Sequence, residues 1–247
     1  MKKWISWSLN ASLTASFLIS AGCVHRSPAP VAAGSPKSGA DPFAEAIREA
    51  AATPSAPLEG SGWKPLFDGK SLTGWHVTEF GGHGPVKCES GLIVVDTGDA
   101  LSGIDCTNPV PKSNYEIALD AMRLEGSDFF CGLTFPVAES HCSLILGGWG
   151  GTVVGVSSID GMDASENETT KFIRFDSNRW YRVRIRVTNE KIEAWLDAEK
   201  IVDLPLAERK ITLRFGEIDL SRPLGIATYQ TTAALREIKL RQLDASK

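Results

Sequence analysis

The stretch Trp180–Val187 reads WYRVRIRV and alternates strictly between apolar and basic side chains from Tyr181 onward. Successive side chains of a β-strand point to opposite faces of the sheet, so this pattern predicts a strand with one face in a core. Three arginines occupy the other face. We expect that face to be solvated, as one side of an antiparallel sheet often is, and an anion-binding site is the alternative.

Similar short segments extend from Trp63 to the end of the chain. Tyr115–Leu124 also alternates, whereas Phe129–Phe135 is an almost continuous apolar run. Many short strands at close spacing, with one short helix outside them, predict an all-β sandwich or barrel. The later strands, each bounded by turn residues, are Ile192–Leu196, Ile201–Leu204, Leu224–Tyr229 and Leu235–Leu243.

The start of the chain resembles a bacterial lipoprotein signal. Two lysines precede an apolar stretch, and Ser20-Ala21-Gly22 then leads into Cys23. The apolar run is too short for a membrane-spanning helix and ends in small residues, as signal peptides do. The resemblance implies removal of residues 1–22, acylation of Cys23, and an exported lipoprotein anchored to a membrane in the periplasm or on the cell surface. An ordinary signal peptide cut near Ala21, with the cysteine incidental, is the alternative.

Residues 23–62 are predicted to be a linker. They begin with a stretch rich in Pro, Ala, Ser and Gly, which has no apolar periodicity and is typical of a flexible tether. Proline at position 42 predicts a helix start, and Phe43–Ala52 has a helix-forming composition. We expect a short, weakly held helix within the linker, followed by the folded domain over residues 63–247.

Charge and composition narrow the range of partners. The chain of 247 residues has a formal net charge of -4, and no run of basic residues stands out. The electrostatic footprint expected of a nucleic-acid-binding protein is therefore missing. No C-x-x-C motif occurs and there are only four histidines, so a structural zinc site is not expected.

Four cysteines follow Cys23, and export makes disulfides plausible for them. In an oxidising compartment four cysteines allow two disulfides in three pairings. Cys131 and Cys142 lie in consecutive predicted strands, while Cys88 and Cys106 flank a predicted hairpin. We therefore predict the pairs Cys88–Cys106 and Cys131–Cys142, with buried free thiols as the alternative.

The segment Pro65–Trp75, which reads PLFDGKSLTGW, carries the most specific motif of the chain. Asp68-Gly69 is typical of a tight turn in which glycine supplies a positive φ. Leu72 supplies an apolar anchor that returns the chain to the core. This segment resembles the opening signature of the 3-keto-disaccharide hydrolase family, and weaker resemblances follow in the right order at Ser177–Arg182, Ile192–Asp197 and Ala233–Leu243.

The resemblance implies a concanavalin-A-like jelly roll, in which two curved antiparallel sheets offer a concave face to sugars. It also implies a hydrolase or lyase activity on glycosides, in particular those oxidised at the 3-position of the sugar. A 3-keto group acidifies the proton on the neighbouring carbon, so a base can start elimination of the aglycone, and water adds afterwards. Such chemistry needs a carboxylate or histidine base, together with a donor or cation at the developing enolate. No cofactor is certain, although a divalent cation could serve there.

The chain departs from the family pattern on its central strands. Typical members carry an Asn-Ser-Gly run ending in Arg, where this chain has Phe130–Pro136, reading FCGLTFP. The family's Glu and Gln on the next strand are replaced by His141–Leu144, so Gly132 and Gln230 are the positions that carry over. A non-catalytic carbohydrate-binding lipoprotein of the same fold is therefore the alternative function, and an envelope module without a ligand is a third.

Three local patterns supply candidate site residues. Glycines on both sides of Trp149 leave its indole free to stack on a sugar, although a bulged hairpin with a packed Trp is equally compatible. Asp160–Thr169 holds four carboxylates that could supply a base or bind a hard cation, and a solvated acidic loop is the simpler reading. His76, Glu79 and His83 match no standard metal motif, and a glycine-rich loop explains them more simply. The candidate site on the concave face and its rim has Asp160, Asp163, Glu166 and His141 as catalytic residues, with Trp149, Glu168 and Gln230 binding substrate.

Overall fold

The computed structural model describes residues 43–244 as two antiparallel β-sheets packed face to face. The signal segment, Cys23 and the Pro-rich part of the linker lie outside the described residues. Besides the strands there are helix α1 (Ala44–Ala52), the single turn α2 (Gly148–Gly151) and a 3₁₀ turn at Glu217–Ser221. The strands are β1 (Lys64–Pro65), β2 (Trp75–Val77), β3 (Val86–Glu89), β4 (Leu92–Val95), β5 (Leu101–Cys106), β6 (Tyr115–Gly126), β7 (Cys131–Val137), β8 (Ser140–Gly147), β9 (Val153–Ser157), β10 (Lys171–Phe172), β11 (Trp180–Val187), β12 (Lys191–Leu196), β13 (Glu199–Pro205), β14 (Gly225–Tyr229) and β15 (Thr231–Gln242).

Sheet A has the order β13-β12-β11-β6-β15-β4-β3, with β1 paired to β15, and sheet B has the order β10-β9-β8-β7-β14-β5-β2. The chain passes repeatedly from one sheet to the other: β4 and β6 lie in sheet A, whereas β5 and β7 lie in sheet B. Near its end the chain crosses from β13 in sheet A to β14 in sheet B, and then returns to sheet A with β15. The predicted all-β jelly-roll sandwich of two antiparallel sheets is confirmed.

The main core lies between the sheets and is built from alternate residues of each strand. In β11 the apolar positions of the WYRVRIRV pattern are buried there, as their period of two requires. Phe130, Phe175 and Tyr181 form an aromatic cluster with ring centroids 5.0 to 5.8 Å apart. Because one face of every strand packs in the core, the alternating residues on the opposite face line the two outer faces of the sandwich.

The arginines of β11 lie on the outer face of sheet A and are not simply solvated. Fully buried Glu116 on β6 accepts hydrogen bonds from Arg186 at 2.6 Å and from Arg241 at 2.5 Å. Asp120, also buried on β6, pairs with Arg182 and Arg236. The expected solvated face is therefore a charge-paired one, because carboxylates on the adjacent strands lie opposite the arginines.

Helix α1 and the residues after it, 53–61, here together called the N-terminal strap, lie on the same outer face. Ile47 is fully buried against an apolar patch that includes Val94 and Met122. Arg236 donates to the carbonyl oxygen of Thr53 at 2.6 Å, and Arg182 donates to that of Ala56 at 2.7 Å. The helix thus differs from the weakly held linker helix expected from the sequence: it is docked, because the outer face of sheet A offers it both apolar side chains and arginine donors.

The predicted disulfides are wrong, since all four cysteines of the described residues are free thiols. Cys131 is paired with Leu146 and Cys142 with Phe135, so the two cysteines are four residues out of register, about 13 Å along the strands. That separation exceeds the roughly 7 Å between Cα atoms that a disulfide tolerates. Cys88 lies in sheet A and Cys106 in sheet B, and both are free.

Two of these thiols are completely buried. Cys131 and Cys142 are completely buried in the main core, where they pack as small apolar side chains. Burial raises the pKa of the Cys131 thiol to about 12 and raises that of Cys142 further.

Among residues 43–244, no helix is long and apolar enough to cross a membrane.

Candidate functional site

A groove with a cavity of about 360 Å³ lies on the outer face of sheet B. Ser143 and Ile145 of β8 line it, and they alternate with Cys142, Leu144 and Leu146, which belong to the main core. The groove therefore lies on the face of sheet B that is turned away from sheet A. Its remaining lining residues are Leu101, Asp128, Phe129, Trp149, Ser157, Arg214, Phe215, Gly216, Glu217, Ile218 and Tyr229.

Gly132 of β7 leaves space for an aromatic ring on the floor of the groove. A Cβ atom at Gly132 would lie 2.9 Å from the ring of Phe129, so that ring occupies the space above the glycine. Phe129 also packs against Tyr229, with the ring centroids 5.9 Å apart. Two aromatic rings thus cover the centre of a floor that has serines on one side.

Trp149 lines this groove and is 41% exposed. Its backbone is left-handed, with φ 49° and ψ 53°, a conformation that is costly for a bulky residue and persists only where the surroundings impose it. Asp128 stabilises this conformation, because its carboxylate accepts a hydrogen bond from the backbone N–H of Gly150 at 2.9 Å. Arg123 donates to the carbonyl oxygen of Gly151 at 3.3 Å. The loop therefore holds the indole towards the groove rather than back on the sheet.

Arg214 lies beside Trp149 and connects it to the acidic loop. The centre of its guanidinium is 5.5 Å from the Trp149 ring, and its Nε lies 3.4 Å from the Asp163 carboxylate. Asp163 also accepts hydrogen bonds from the hydroxyls of Ser157 and Ser158, each at 3.1 Å. Asp163 is thus at the groove edge without lining the cavity, and its charge is already engaged.

The other carboxylates of the predicted acidic loop do not line the groove. Asp160 accepts hydrogen bonds from the backbone N–H of Lys210 and from Arg209, both at 2.8 Å. The Lys210 N–H, followed by Arg209, lowers the pKa of this carboxyl group. Glu168 pairs with Arg209 at 2.5 Å, and Glu166 is not among the lining residues either.

His141 and Gln230 also lie apart from Trp149. His141 lines a second, smaller cavity of about 130 Å³ together with Asp219 and Arg222. Burial, followed by the positive charge of Arg222, lowers the pKa of this histidine. Gln230 follows β14 in a left-handed turn, and its side-chain amide donates to the carbonyl oxygen of Asp99 at 3.0 Å.

Sequence reasoning did not find the charged residues that do line the groove. Asp128 precedes the apolar run of β7, and Arg214 and Glu217 lie in a segment without periodicity. Glu217 accepts the N–H of Gly81 through one carboxylate oxygen, at 3.2 Å. The position of Asp128 in the turn before a strand was a sequence signal for a possible site residue. No local sequence pattern marks Arg214 or Glu217 in this way.

Within the described part of the chain, no three His, Cys, Asp or Glu side chains cluster in the way that a metal ion needs. The histidines considered as ligands have different acidic neighbours. His83 lies 4.0 Å from Glu79, whereas His76 lies 3.7 Å from Asp105.

The fold and the groove together define a jelly-roll β-sandwich domain with an open aromatic groove across one sheet. Residues 62–241 match the model of the family described as the 3-keto-alpha-glucoside-1,2-lyase-like domain, and the chain belongs to that family. The resemblance seen in the Pro65–Trp75 segment is thereby confirmed.

Solved structures with a similar chain trace share little sequence with this one. Domain 4 of AbnA, an extracellular arabinanase from Geobacillus stearothermophilus in complex with arabinotriose, is 12% identical with a TM-score of 0.47, over 75% of this chain and 93% of that chain. The carbohydrate binding module CBM66 from Bacillus subtilis is 13% identical with a TM-score of 0.47, over 68% and 96%. A glycosyl hydrolase family protein from Mycobacterium fortuitum is 10% identical with a TM-score of 0.43, over 72% and 97%. Comparison with curated protein sequences gave no match.

Proposed function

We propose that this protein cleaves 3-keto-glycosides in the groove of sheet B, as an exported, membrane-anchored lipoprotein. The observation that carries the proposal is the grouping of a partly exposed indole, Trp149, with the carboxylate of Glu217 and the guanidinium of Arg214 around one cavity. A concave site with a few convergent polar groups among apolar walls is the usual form of a small-molecule site. Family membership supplies the chemical class of the substrate.

Sugar binding would use the indole and the serines of the floor. Trp149 offers an apolar face to a sugar ring, while its backbone conformation keeps the indole from turning into the core. Ser143 and Ser157 lie opposite each other on β8 and β9, so both hydroxyls are on the groove side of the sheet. Ser143 shares a hydrogen bond with Thr134 and Ser157 donates to Asp163, which leaves each serine oxygen with a lone pair for a ligand. Hydroxyl groups both donate and accept, which suits the hydroxyls of a sugar.

Glu217 is the proposed base for the elimination. It takes the proton from C2, next to the 3-keto carbon, and the electron pair forms a C1=C2 double bond while the C1–O bond to the aglycone breaks. The aglycone oxygen leaves with a proton from the medium. Water then adds across the double bond, returning a proton to C2 and placing a hydroxyl on C1. One oxygen of Glu217 is oriented by the N–H of Gly81, which fixes the carboxylate beside the cavity.

Arg214 is the proposed stabiliser of the enolate oxygen that develops at C3. A fixed cation at the point where negative charge appears lowers the barrier of such a step. Its ion pair with Asp163 is long, at 3.4 Å, and the Arg214 side chain is half exposed. Exposed pairs of this kind are worth little, so the guanidinium can turn towards a bound ligand at small cost.

Release of the aglycone from a 3-keto-α-glucoside tests this function. We expect Glu217→Gln to lower turnover about 100-fold or more, as loss of a general base does. The matched control is Glu199→Gln, at the exposed start of β13, which should retain full turnover. Turnover by Glu217→Gln equal to that of the parent protein would remove the carboxylate from this role.

A non-catalytic carbohydrate-binding role is the second candidate, and one observation favours it. Both oxygens of Asp128 hold backbone N–H groups, those of Phe129 and Gly150, so this carboxylate of the groove is occupied by a structural task. Trp149→Ala should abolish sugar binding under either function. Glu217→Gln should change turnover under the first alone and leave binding intact under the second.

A further inference from the structure

The two ends of the groove differ in chemistry. Its lining strands follow the order β9-β8-β7-β14-β5 across sheet B. At the β9 and β8 end, the nearly buried hydroxyls of Ser157 and Ser143 lie in the floor, where Ser157 donates to Asp163 and Ser143 shares a hydrogen bond with Thr134. Arg214 contacts both Asp163 and Trp149, which places these two side chains over this part of the groove. This end is suited to a sugar, which needs hydrogen-bond partners for its hydroxyls.

Apart from Glu217, whose 3₁₀ turn contacts β5 and β14, the side chains at the β14 and β5 end of the groove are apolar or aromatic. Leu101 and Tyr229 are direct partners across the two strands, so their side chains lie on the same face of the sheet. The ring of Phe129 packs against that of Tyr229 over the empty position of Gly132. Phe215, at the rim, is fully exposed. Among the three residues that form this end of the floor, the Tyr229 hydroxyl is the one polar side-chain group.

The groove is longer than one sugar ring. Neighbouring strands are about 4.8 Å apart, so the four steps from β9 to β5 span about 19 Å. A sugar held at the serine end therefore leaves the aromatic end for the group attached at its C1. A second sugar placed there would lie among mostly apolar side chains, with the Tyr229 hydroxyl and the Glu217 carboxylate as its few hydrogen-bond partners, which is unfavourable.

We propose that the groove selects glycosides with an aromatic aglycone, which packs on the surface formed by Phe129, Tyr229 and Leu101 while the sugar lies under Trp149. This inference rests on the proposed function for the position of the sugar and names the class of the leaving group. Aromatic rings gain from offset or edge contacts with aromatic side chains beyond the area that they bury.

Binding measurements with three matched probes test the proposal: the 3-keto derivatives of methyl α-glucoside, phenyl α-glucoside and maltose. Calorimetric titration of the Glu217→Gln protein, in which turnover is suppressed, should give a Kd for the phenyl probe about tenfold or more below that for the methyl probe, with the maltose probe no tighter than the methyl one. Tyr229→Ala should remove most of the phenyl advantage and leave the methyl probe unaffected. The matched control is Phe172→Ala, an exposed aromatic residue on β10 that does not line the groove.

The outcomes separate the two proposals. A maltose probe that binds as tightly as the phenyl probe, or a folded Tyr229→Ala protein that keeps the phenyl advantage, overturns the aromatic subsite. A lack of binding by all three probes overturns it as well. A phenyl preference in binding without aglycone release from any probe supports the subsite and contradicts the proposed catalysis.

Discussion

The carboxylate of Asp128 accepts a hydrogen bond from the backbone N–H of Gly150 at 2.9 Å. Its other oxygen accepts the N–H of Phe129 at 2.8 Å. One side chain therefore fixes both the loop that carries Trp149 and the aromatic residue on the groove floor. The two aromatic surfaces proposed for sugar and aglycone thus depend on a single anchor.

Replacing that anchor should loosen the indole. We expect Asp128→Ala to increase acrylamide quenching of the fluorescence of Trp149 and to weaken sugar binding at least fivefold, since the left-handed loop loses the bond that imposes it. Asp128→Asn retains one strong acceptor and should have an intermediate effect. The chain has seven tryptophans, so Trp149→Phe is the control that assigns the signal. Unchanged quenching in Asp128→Ala would contradict the anchoring role.

The docking of α1 can be measured as stability. Ile47 is fully buried against sheet A, so Ile47→Ala should lower the free energy of unfolding by about 2–4 kcal/mol, as similar truncations of buried side chains do. Urea denaturation gives this value. Arg48→Ala, the exposed neighbour, should stay within about 0.5 kcal/mol of the parent protein. Equal stability of the two variants would mean that the helix is not held on the sheet in solution.

His141 makes stability depend on pH. Its pKa is lowered in the folded protein by burial and by Arg222, so the unfolded chain binds more protons as the pH falls through the ordinary histidine pKa of about 6.5. The free energy of unfolding should therefore be highest above that pKa and decrease as the pH falls below it. Asp219 opposes this shift and Lys112 adds to it, but burial and Arg222 prevail.

Thermal denaturation at several values between about pH 8 and pH 5 checks this expectation. His141→Gln should flatten the decrease in Tm that the parent protein shows on acidification. His76→Gln is the control, because the His76 side chain is largely exposed, and it should follow the parent curve. A parallel pH dependence in the His141 variant and the parent would refute the assignment.

Because the cysteines are free thiols, we expect a reductant to have no effect on the thermal stability of the domain. Dithiothreitol should leave the Tm of the folded domain unchanged, since the structure holds no disulfide among residues 43–244. Cys131 and Cys142 should resist alkylation until the protein unfolds, because burial excludes the reagent and raises the pKa of both thiols. Partly exposed Cys88 should be modified first. Mass spectrometry after brief alkylation identifies the order, and early labelling of Cys131 would go against this packing.

Anchoring through Cys23 is a separate prediction from the sequence. Several acyl chains together hold a protein firmly on a membrane, whereas one chain holds it weakly. The full chain expressed in a bacterium should partition into the detergent phase, and Cys23→Ser should move it to the aqueous phase or block its maturation. Identical partitioning of the two proteins would leave the ordinary signal peptide as the explanation.

The fold could be predicted because its signal is local. The alternation in Trp180–Val187 requires a half-buried strand wherever that segment lies, and β11 has those bounds. The flanking glycines of Trp149 likewise mark, from neighbouring residues alone, a loop that can present an indole. Both expectations depend on residues next to each other in the chain.

The rest of the site depends on distant partners. Asp160 was expected to be catalytic and Glu168 to bind substrate, yet Arg209, more than forty positions away from each in the chain, pairs with both. Glu217 enters the groove only because its segment returns to sheet B near Gly81. The Cys131–Cys142 pair failed for the same reason, since strand register decides distance and the sequence does not display register.

The N-terminal strap has a practical consequence for handling the protein. Phe43, where the described chain begins, leads into α1 on the outer face of sheet A, while the groove opens on the outer face of sheet B. Attachment to a sensor chip, bead or fusion partner through residues ahead of Phe43 should therefore leave the groove open to ligands in solution. Truncation at residue 62, where the family match begins, would instead strip the arginines of their carbonyl partners and expose the patch under Ile47.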